Sequence, residues 1–564
     1  MIAFRYRYLL ATLVYPRLKT AFLIIGELKK NIMKLYTVNM AVSGKMEKGA
    51  KNEPSIATLD EAMLLTGFGI YNIAHMLLSG LILLGVIMQS LAMSYVMPAA
   101  QCDLNLSLQQ RGWISAIPFL AIILTSYFWG WLADTRGRRL VMLISMIIST
   151  VFSGLASFAP EVISFAVLSF ISSIFMSGSS AVVYTYLGEF TNIRHRDKIV
   201  TFGSAFVGIG TVIIPAIAWV ILPLEFSYPL PLLNIAYRPW RLLVVACVLP
   251  FVIGTLLLIF IAPESPKFLS SSGKSEECLV VLRKMYSINR RMPEDTYPVK
   301  TLISEGSNTK QEEKSGISAI LSSMKEQTVP LFKPPFLKWT CLTCFVQFGI
   351  FATTNGFYVW FPTILNSLVN HEGAQTRICD ALDAARAPRN ASAVECDDTI
   401  NTATFEMSVY VGLVFCSMYI IVGFLVDFLG KKAILVVLLA GTGMCGVGAP
   451  NVYHQQISVV LFAIFQMCGA CIGLMNAVTV ELFPTKFRAM AVCLSMMMGR
   501  VGSMVGTNLI GLFLETNCGV SFYLFAGVIM VCALFCLTLP GKNKGPIQTK
   551  PKSEATQNET QAPA

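Results

Sequence analysis

Residues 130–139 read GWLADTRGRR, and residues 423–432 repeat this arrangement as GFLVDFLGKK, 293 positions further along the chain. A second pattern, Glu189 followed by basic residues, returns as Glu481 after a shift of 292 positions. Two unrelated patterns that keep nearly one register indicate a chain made of two homologous halves. Repeats of this kind between apolar segments are typical of alternating-access carriers, in which the substrate site lies between the repeats.

The composition places both halves in a membrane. The chain has 564 residues, of which 55% are hydrophobic and only 13% are charged, and its mean hydropathy is +0.64. Soluble domains carry roughly 25% charged residues, and an apolar stretch of about 20 residues spans a bilayer as a helix. The sequence contains about twelve such stretches. We therefore expect an all-α membrane protein with twelve transmembrane helices in two pseudo-symmetric six-helix bundles.

The net charge of +11 is explained by the orientation of the chain in the membrane, so no nucleic-acid partner is expected. Lysine and arginine cluster in the short connections that carry the repeated patterns and in segment 263–338, whereas the opposite connections contain few. The positive-inside rule then places both termini, both patterns and segment 263–338 in the cytoplasm. We expect a monomeric, integral, multi-pass protein in the lipid bilayer of the plasma membrane or of an intracellular vesicle.

Changes in polarity divide the chain into five segments. Residues 45–60 are polar and are expected to be disordered, whereas the spacing of apolar residues in 274–291 predicts a helix. The expected segments are 1–76, a cytoplasmic and partly disordered N-terminal segment; 77–262, the first bundle; 263–338, a cytoplasmic linker; 339–540, the second bundle with an extracytoplasmic loop at 366–404; and 541–564, a disordered cytoplasmic tail.

Four of the fifteen cysteines lie outside the apolar spans, and two of them, Cys379 and Cys396, share the loop 366–404. A disulfide between these two would close the loop, although four cysteines allow three pairings and the sequence does not choose among them. Asn390 begins a glycosylation sequon in the same loop. The chain has no metal-ligand spacing, no nucleophile–base set and no Walker A motif, so neither an enzyme nor a metal or other cofactor is expected.

The charged residues of the repeated patterns form the first candidate site. Glycine permits close helix approach and a tight turn, and a carboxylate pairs with arginine or with a helix N-terminus. We interpret the set as a latch that holds the cytoplasmic side shut in one state and separates in the other. The alternative is ordinary positive charge at helix ends. The latch residues are Gly130, Asp134, Arg138, Arg139, Glu189, Arg196, Gly423, Asp427, Lys431, Glu481 and Arg488.

Polar and aromatic residues within the apolar spans form the second candidate site. Arg500 is the one charge deep in a span, so it is a candidate for contact with an anionic group; the alternative is pairing with the latch or with helix-end carbonyls. Amide and aromatic side chains offer hydrogen bonds and cation–π surfaces to a solute, but each alone also fits ordinary helix packing. The substrate-binding candidates are Gln89, Trp219, Gln347, Asn355, Tyr358, Trp360, Gln466, Asn476 and Arg500.

The pattern at 130–139 resembles the loop 2–3 signature of the major facilitator superfamily, and residues 263–266, PESP, resemble its sugar and organic-ion transporter branch. Residues 101–104 (QCDL), 127–130 (YFWG) and 480–485 (VELFPT) are similar to the synaptic vesicle glycoprotein 2 group. The resemblance covers about residues 60–540. It implies the major facilitator fold and a secondary transporter that moves a small organic solute by rocking its two halves.

One departure from that group leaves a second interpretation open. Group members often carry acidic residues in span 1, where this chain has Gln89 as its strongly polar side chain. A non-transporting membrane protein that keeps the fold and acts as a vesicle, trafficking or receptor partner is therefore the alternative function. The spans also lack a central carboxylate, which favours facilitated diffusion or exchange over proton coupling.

Overall fold

The computed structural model describes residues 56–231, 233–303, 328–370, 376–386 and 400–540, and within them the chain is mainly helical. The predictions for residues 1–55, for Asn390, for Cys396 and for the tail 541–564 lie outside the described residues.

The described residues of the first half and of the linker that follows it form eleven α-helices and two small sheets. They are β1 (Ile56–Ala57), α1 (Leu59–Leu65), α2 (Ile70–Leu91), α3 (Met93–Ala99), α4 (Leu108–Arg136), α5 (Arg138–Ala156), α6 (Val162–Glu189), α7 (Arg196–Ile221), β2 (Tyr228–Leu230), β3 (Ile235–Tyr237), α8 (Pro239–Ala246), α9 (Leu249–Phe260), α10 (Pro266–Ser271), α11 (Ser275–Arg290) and β4 (Thr301–Leu302). Strand β1 pairs in parallel with β4, and β2 pairs antiparallel with β3.

The second half is helical throughout its described residues. Its helices are α12 (Leu337–Asn370), α13 (Ile378–Arg386), α14 (Thr402–Leu429), α15 (Lys431–Gly448), α16 (Gln455–Gln466), α17 (Cys471–Leu482), α18 (Thr485–Thr516) and α19 (Cys518–Leu537).

Ten helical segments of the described chain are long and apolar enough to cross a membrane. Three of them, Ile70–Ala99, Pro239–Phe260 and Gln455–Leu482, combine consecutive helices into one crossing. The other two predicted spans are helices as well, because α7 contains the apolar stretch Ala205–Ile221 and α12 is 34 residues long. All twelve stretches that the sequence predicts as spans are therefore helical, and ten of them have the length and hydropathy of a membrane crossing.

The repeated patterns end corresponding helices in the same way. Gly137 follows α4 with φ +103°, and Gly430 follows α14 with φ +79°. Both angles lie in the region that only glycine adopts readily, so each pattern forms a sharp turn into the next helix, α5 or α15. The two glycines that follow the aspartates are therefore required by the backbone of the turn.

Contacts between the halves show that both patterns lie at one end of the molecule. A Cβ on Gly208 of α7 would lie 3.2 Å from Cys416 Cα of α14, and one on Gly412 of α14 would lie 2.5 Å from the Thr211 carbonyl oxygen. The higher-numbered contact residue of α7, Thr211, meets the lower-numbered contact residue of α14, Gly412. These two helices therefore run antiparallel. The end of α14 therefore lies beside the start of α7, which also adjoins the first pattern. We call this end of the molecule the signature side and the other end the opposite side.

Helices α12 and α18 pack backbone against backbone in the second half. A Cβ on Gly502 would lie 2.3 Å from the Phe348 carbonyl oxygen, and one on Gly506 would lie 2.2 Å from the Ala352 carbonyl oxygen. These separations are far inside van der Waals contact, so only glycine fits. The GxxxG spacing of these glycines thus serves helix packing.

The described part of the stretch 45–60 is ordered, contrary to the expectation for it: residues 56–57 form β1, and α1 begins at Leu59. Thr58 and Glu61 form a capping box at the start of α1. The predicted linker helix is present as α11, and its Asn289 accepts a hydrogen bond from the Tyr71 backbone N–H at 3.0 Å and donates to Asn72 Oδ1 at 2.9 Å. Apolar residues of α11 join the first half's core, and burial there raises the pKa of the Cys278 thiol to about 12.

A disulfide joins Cys379 of α13 to Cys518, the first residue of α19, with a Cα–Cα distance of 5.4 Å. The pairing of Cys379 with Cys396 inside one loop is therefore wrong. The apolar residues Ile378, Ala381 and Leu382 bury themselves in the core of the second half. This packing brings Cys379 next to α19, at a sequence separation of 139 residues that no local spacing indicates.

Candidate functional site

The first charged cluster is centred on Arg138, the first residue of α5. Arg138 Nη2 lies 2.9 Å from Asp134 Oδ1, and Arg138 Nε lies 3.1 Å from Glu189 Oε2 at the end of α6. The two acids differ in environment, because the side chain of Asp134 is 71% exposed and that of Glu189 only 7%. Arg138 also lies over the Phe268 ring at 5.3 Å. The arginine thereby ties together α4, α5, α6 and the start of the linker.

Glu264, which the latch prediction omitted, holds the same corner from the linker side. Its carboxylate accepts backbone hydrogen bonds from Arg138 at 3.0 Å, from Arg139 at 3.1 Å and from Ser265 at 2.9 Å. The first two donors are unpaired N–H groups at the N-terminus of α5, where a negative charge is favourable. No local pattern signals this contact, because Glu264 lies 125 residues from Arg139 along the chain.

The second half repeats the cluster in part. Lys431 forms an ion pair with Glu481, and Lys432 donates to the Leu539 carbonyl oxygen. Arg139, the counterpart of Lys432, likewise donates to helix-end carbonyls, those of Leu258 and Ile259. The side chain of Asp427 lies outside the description. The ion pairs of both clusters link helices within one half.

The remaining latch residues take structural positions. Arg196 Nε donates to the Gly188 carbonyl oxygen at 3.1 Å, and the buried Nε of Arg488 has no hydrogen-bond partner among the described residues. A Cβ on Gly130 or Gly423 would meet no atom within 4 Å. The expectation of close helix approach at these two glycines is therefore wrong in this conformation, because open space lies beside both.

A strip of polar groups runs along the seam between α12 and α18, and Asn476 of α17 joins it. The strip residues of α12 and of α18 recur at helical spacing on one face of each helix, so they lie above one another. Gln347 donates to Asn476 Oδ1 at 2.8 Å, Asn355 donates to Ser503 Oγ at 2.8 Å, and Arg500 lies between these pairs over the Phe351 ring at 5.3 Å. The sequence candidates Gln347, Asn355, Asn476 and Arg500 are thus brought together.

Arg500 is the uncompensated charge of this strip. Among the residues that the structure describes, it has no hydrogen bond or ion pair. Tyr184 of α6, in the first half, lies within electrostatic range of Arg500. Because no latch acid pairs with Arg500 among these residues, the geometry gives no support to the latch alternative for this side chain.

The other candidates lie elsewhere. Gln89 faces the interior of the first half, where its Oε1 accepts a hydrogen bond from Ser149 at 3.1 Å and where it borders a small cavity with serines of α6. Trp360 is buried and donates to the Thr507 carbonyl oxygen at 2.8 Å. Gln466 is buried at the end of α16, and Trp219 is partly exposed near the end of α7.

Contacts on the opposite side close the two halves against each other. Arg111 of α4 donates to Thr363 Oγ1 of α12 at 2.7 Å. Tyr95 of α3 stacks on Phe405 of α14 with ring centroids 6.2 Å apart. Tyr358 of α12 packs against the first half's core at the same end. The described conformation is therefore joined at the opposite side, while Asp134 remains exposed at the signature side.

Two similar helical halves, joined at one end and carrying charged turns at the other, define a multi-pass membrane protein. A family model of the Major Facilitator Superfamily matches residues 65–376 and 398–562. The chain belongs to the Major Facilitator Superfamily.

Several known proteins are similar to the chain. Synaptic vesicle glycoprotein 2A of Rattus norvegicus is 29% identical over 310 residues, which cover 51% of this chain and 41% of that protein. Organic cation/carnitine transporter 7 of Arabidopsis thaliana is 26% identical over 513 residues, which cover 86% of this chain and 95% of that protein. The chain thus spans less than half the length of the vesicle glycoprotein that it matches.

The solved structures confirm the fold. The inward-open xylose transporter XylE from E. coli superimposes with a TM-score of 0.58 at 16% sequence identity, over 84% of this chain and 98% of that chain. A D-xylose–proton symporter gives a TM-score of 0.59 at 14% identity, over 85% of this chain and 99% of that chain. At these identities the likeness concerns architecture, and the major facilitator fold predicted from the sequence is confirmed.

Proposed function

We propose that this protein is a secondary transporter that moves a small organic solute across a membrane by alternating access of its two halves. The observation that carries the proposal is Arg500, a cation within a span that lies in electrostatic range of Tyr184 of the first half and lacks a carboxylate partner among the described residues. An unpaired charge in a membrane span is costly, and such charges mark solute or ion pathways. The solute supplies the missing hydrogen bonds and charge.

The polar strip on α12, α17 and α18 defines the chemistry of the solute. Arg500 takes an anionic group, and the amides of Asn355 and Asn476 lie on either side of it to hydrogen-bond neutral polar groups. The similarity to a protein named organic cation/carnitine transporter 7, over 86% of this chain, supports a small organic solute. Carnitine carries a carboxylate beside a quaternary ammonium group, which makes it a suitable first probe.

The charged clusters are the proposed latch of the signature side, which the positive-inside rule assigns to the cytoplasm together with both termini. In the described state, Arg138 pairs with Glu189 inside the first half, and Lys431 pairs with Glu481 inside the second. The exposed carboxylate of Asp134, which pairs with Arg138 in the described state, meets the second half when the signature side closes. The described conformation is thus the one in which the latch is released.

Uptake into proteoliposomes tests the transport role. Wild-type protein should accumulate labelled L-carnitine above protein-free vesicles, and Arg500→Gln should lose most of that uptake. Lys300→Gln, a change at an exposed linker position, is the matched loss of one positive charge and should leave uptake unchanged. Protein that reconstitutes in folded form yet takes up neither carnitine, choline nor simple organic acids would contradict the proposal and favour a non-transporting role.

A further inference from the structure

On the opposite side, the first turn of α4 carries a buried cation that joins the two halves. Arg111 is buried, with only 5% of the residue exposed to solvent. Its Nη1 donates to Gln101 Oε1 of its own half at 2.9 Å, and its Nη2 donates to Thr363 Oγ1 of the second half at 2.7 Å. Its guanidinium carbon lies 5.4 Å from the centre of the Trp360 ring.

Arg111 is a poor residue for stability at this position. A positive charge in the first turn of a helix opposes the helix dipole. The buried Nε has no acceptor, and no carboxylate pairs with the guanidinium among the residues that the structure describes. Burial of an arginine without a counter-charge forfeits much of its hydration. Its contacts therefore offset a desolvation penalty instead of adding a large net attraction.

The surroundings of Arg111 form a tight seam. A Cβ on Gly112 would lie 3.4 Å from Asn508 Oδ1 and 3.6 Å from the Trp360 ring. Trp360 is in turn fixed by its hydrogen bond to the Thr507 carbonyl oxygen of α18. The guanidinium thus closes against a surface that the second half holds in place.

We propose that Arg111 is the positioning residue that keeps the opposite side closed: its hydrogen bond to Thr363 and its contact with Trp360 form when the halves meet there and break when that side opens. The proposal rests on the alternating access of the proposed function, because it requires the halves to separate at this seam. Release returns the guanidinium to water, so its rehydration offsets the contacts that are lost. A buried cation without a carboxylate can therefore close the seam and still let it reopen.

The test measures opening at the seam directly and needs no solute. Asn508→Cys places a thiol beside Gly112, and a 5-kDa polyethylene glycol maleimide, too large to pass through the protein, reports its exposure in purified protein. Mass spectrometry of the peptide that contains residue 508 separates this signal from that of the native cysteines. Arg111→Gln and Thr363→Val, added singly and together, remove the hydrogen bond from its two ends.

Each single change should raise the labelling rate at position 508 about tenfold, the factor expected for loss of one hydrogen bond to a charged group. The double variant should exceed Arg111→Gln only slightly, because the two changes remove the same bond. Arg111→Lys should restore only part of the slow labelling, since lysine lacks the planar fork. Thr516→Val, whose hydroxyl bonds within its own helix, is the control and should have no effect.

Unchanged labelling in both folded single variants, or multiplication of the two effects in the double variant, would overturn the proposal. Should Arg111→Gln fail to fold, Thr363→Val decides alone, because it replaces a hydroxyl by a methyl group of similar size. The labelling result is independent of uptake, so a failure of the proposed transport role and a failure of this inference are distinguishable.

Discussion

Replacement of Glu189 by glutamine should destabilise the protein far more than replacement of Asp134 by asparagine, although both acids bind the same guanidinium. Arg138 and Glu189 are 11% and 7% exposed, and Glu189 Oε2 also accepts a hydrogen bond from Ser265. Removal of one partner from a buried ion pair costs about 3–5 kcal/mol. Asp134 is 71% exposed, and an exposed pair contributes about 0.2–1 kcal/mol.

The magnitude for Glu189→Gln lies at the lower end of the first range, about 3 kcal/mol, because Asp134 remains beside Arg138 at 2.9 Å and compensates part of its charge. The assay is thermal unfolding of purified protein in one detergent, followed by the loss of monodisperse material on size-exclusion chromatography. Glu189→Gln should lower the midpoint clearly, whereas Asp134→Asn should stay close to wild type.

A double variant sharpens the test. Arg138→Gln combined with Glu189→Gln removes both charges, so no buried charge is left unpaired, and it should be no less stable than Glu189→Gln alone. Glu277→Gln, which breaks the exposed pair with Lys274, is the matched control. Two results would contradict this account of the ion pairs. One is an unfolding midpoint of Asp134→Asn as low as that of Glu189→Gln, and the other is a double variant whose loss of stability equals the sum of the losses of its two single variants.

Three further predictions concern transport, the disulfide and pH. Asp134→Asn should reduce uptake while the amount of protein in the membrane stays unchanged, since the latch needs this charge only when the signature side closes; unchanged uptake would remove the latch assignment. Cys379→Ser should destabilise the protein by about 2–5 kcal/mol through loss of the long covalent loop, and reductant should then have no further effect on stability if the lost bond accounts for the change. The Cys278 thiol, with its pKa raised by burial from 9.0 to about 12, should resist iodoacetamide at pH 8 until the protein unfolds. Because this pKa is raised in the folded state, the thiol's contribution to stability is present below pH 9 and is lost as the pH rises toward about 12, whereas Cys278→Ala should abolish that part of the pH dependence.

The sequence predicted the crossings well because their cause is local. Each span is a charge-poor stretch of sufficient length, and each repeated pattern ends a helix at a glycine that the turn requires, as at Gly137 and Gly430. The polar strip was found in part for the same reason, since Gln347, Asn355 and Arg500 are conspicuous in apolar surroundings. What the strip contacts depends on the rotation of α12 and α18, which their glycines set.

The contacts that the sequence did not indicate depend on long-range packing. Gln89 is as polar as Gln347, yet α2 turns it toward serines inside its own half. Cys379 bonds to a cysteine 139 residues away because α13 buries its apolar face, and Glu264 caps α5 across 125 residues. Hydropathy and spacing carry no information about which helix faces meet, so these partners become visible only in three dimensions.

The glycine contacts between α12 and α18 have a consequence for how solute preference can change. With Gly502 and Gly506 pressed against carbonyl oxygens, neither helix can slide or rotate on the other without losing this fit along its length. The two helices therefore behave as one rigid unit, and the polar side chains that they carry keep their spacing while neighbouring helices tilt. A change of solute preference then requires substitution of these polar side chains. A bulkier residue at either glycine would instead separate the two helices and disrupt the unit.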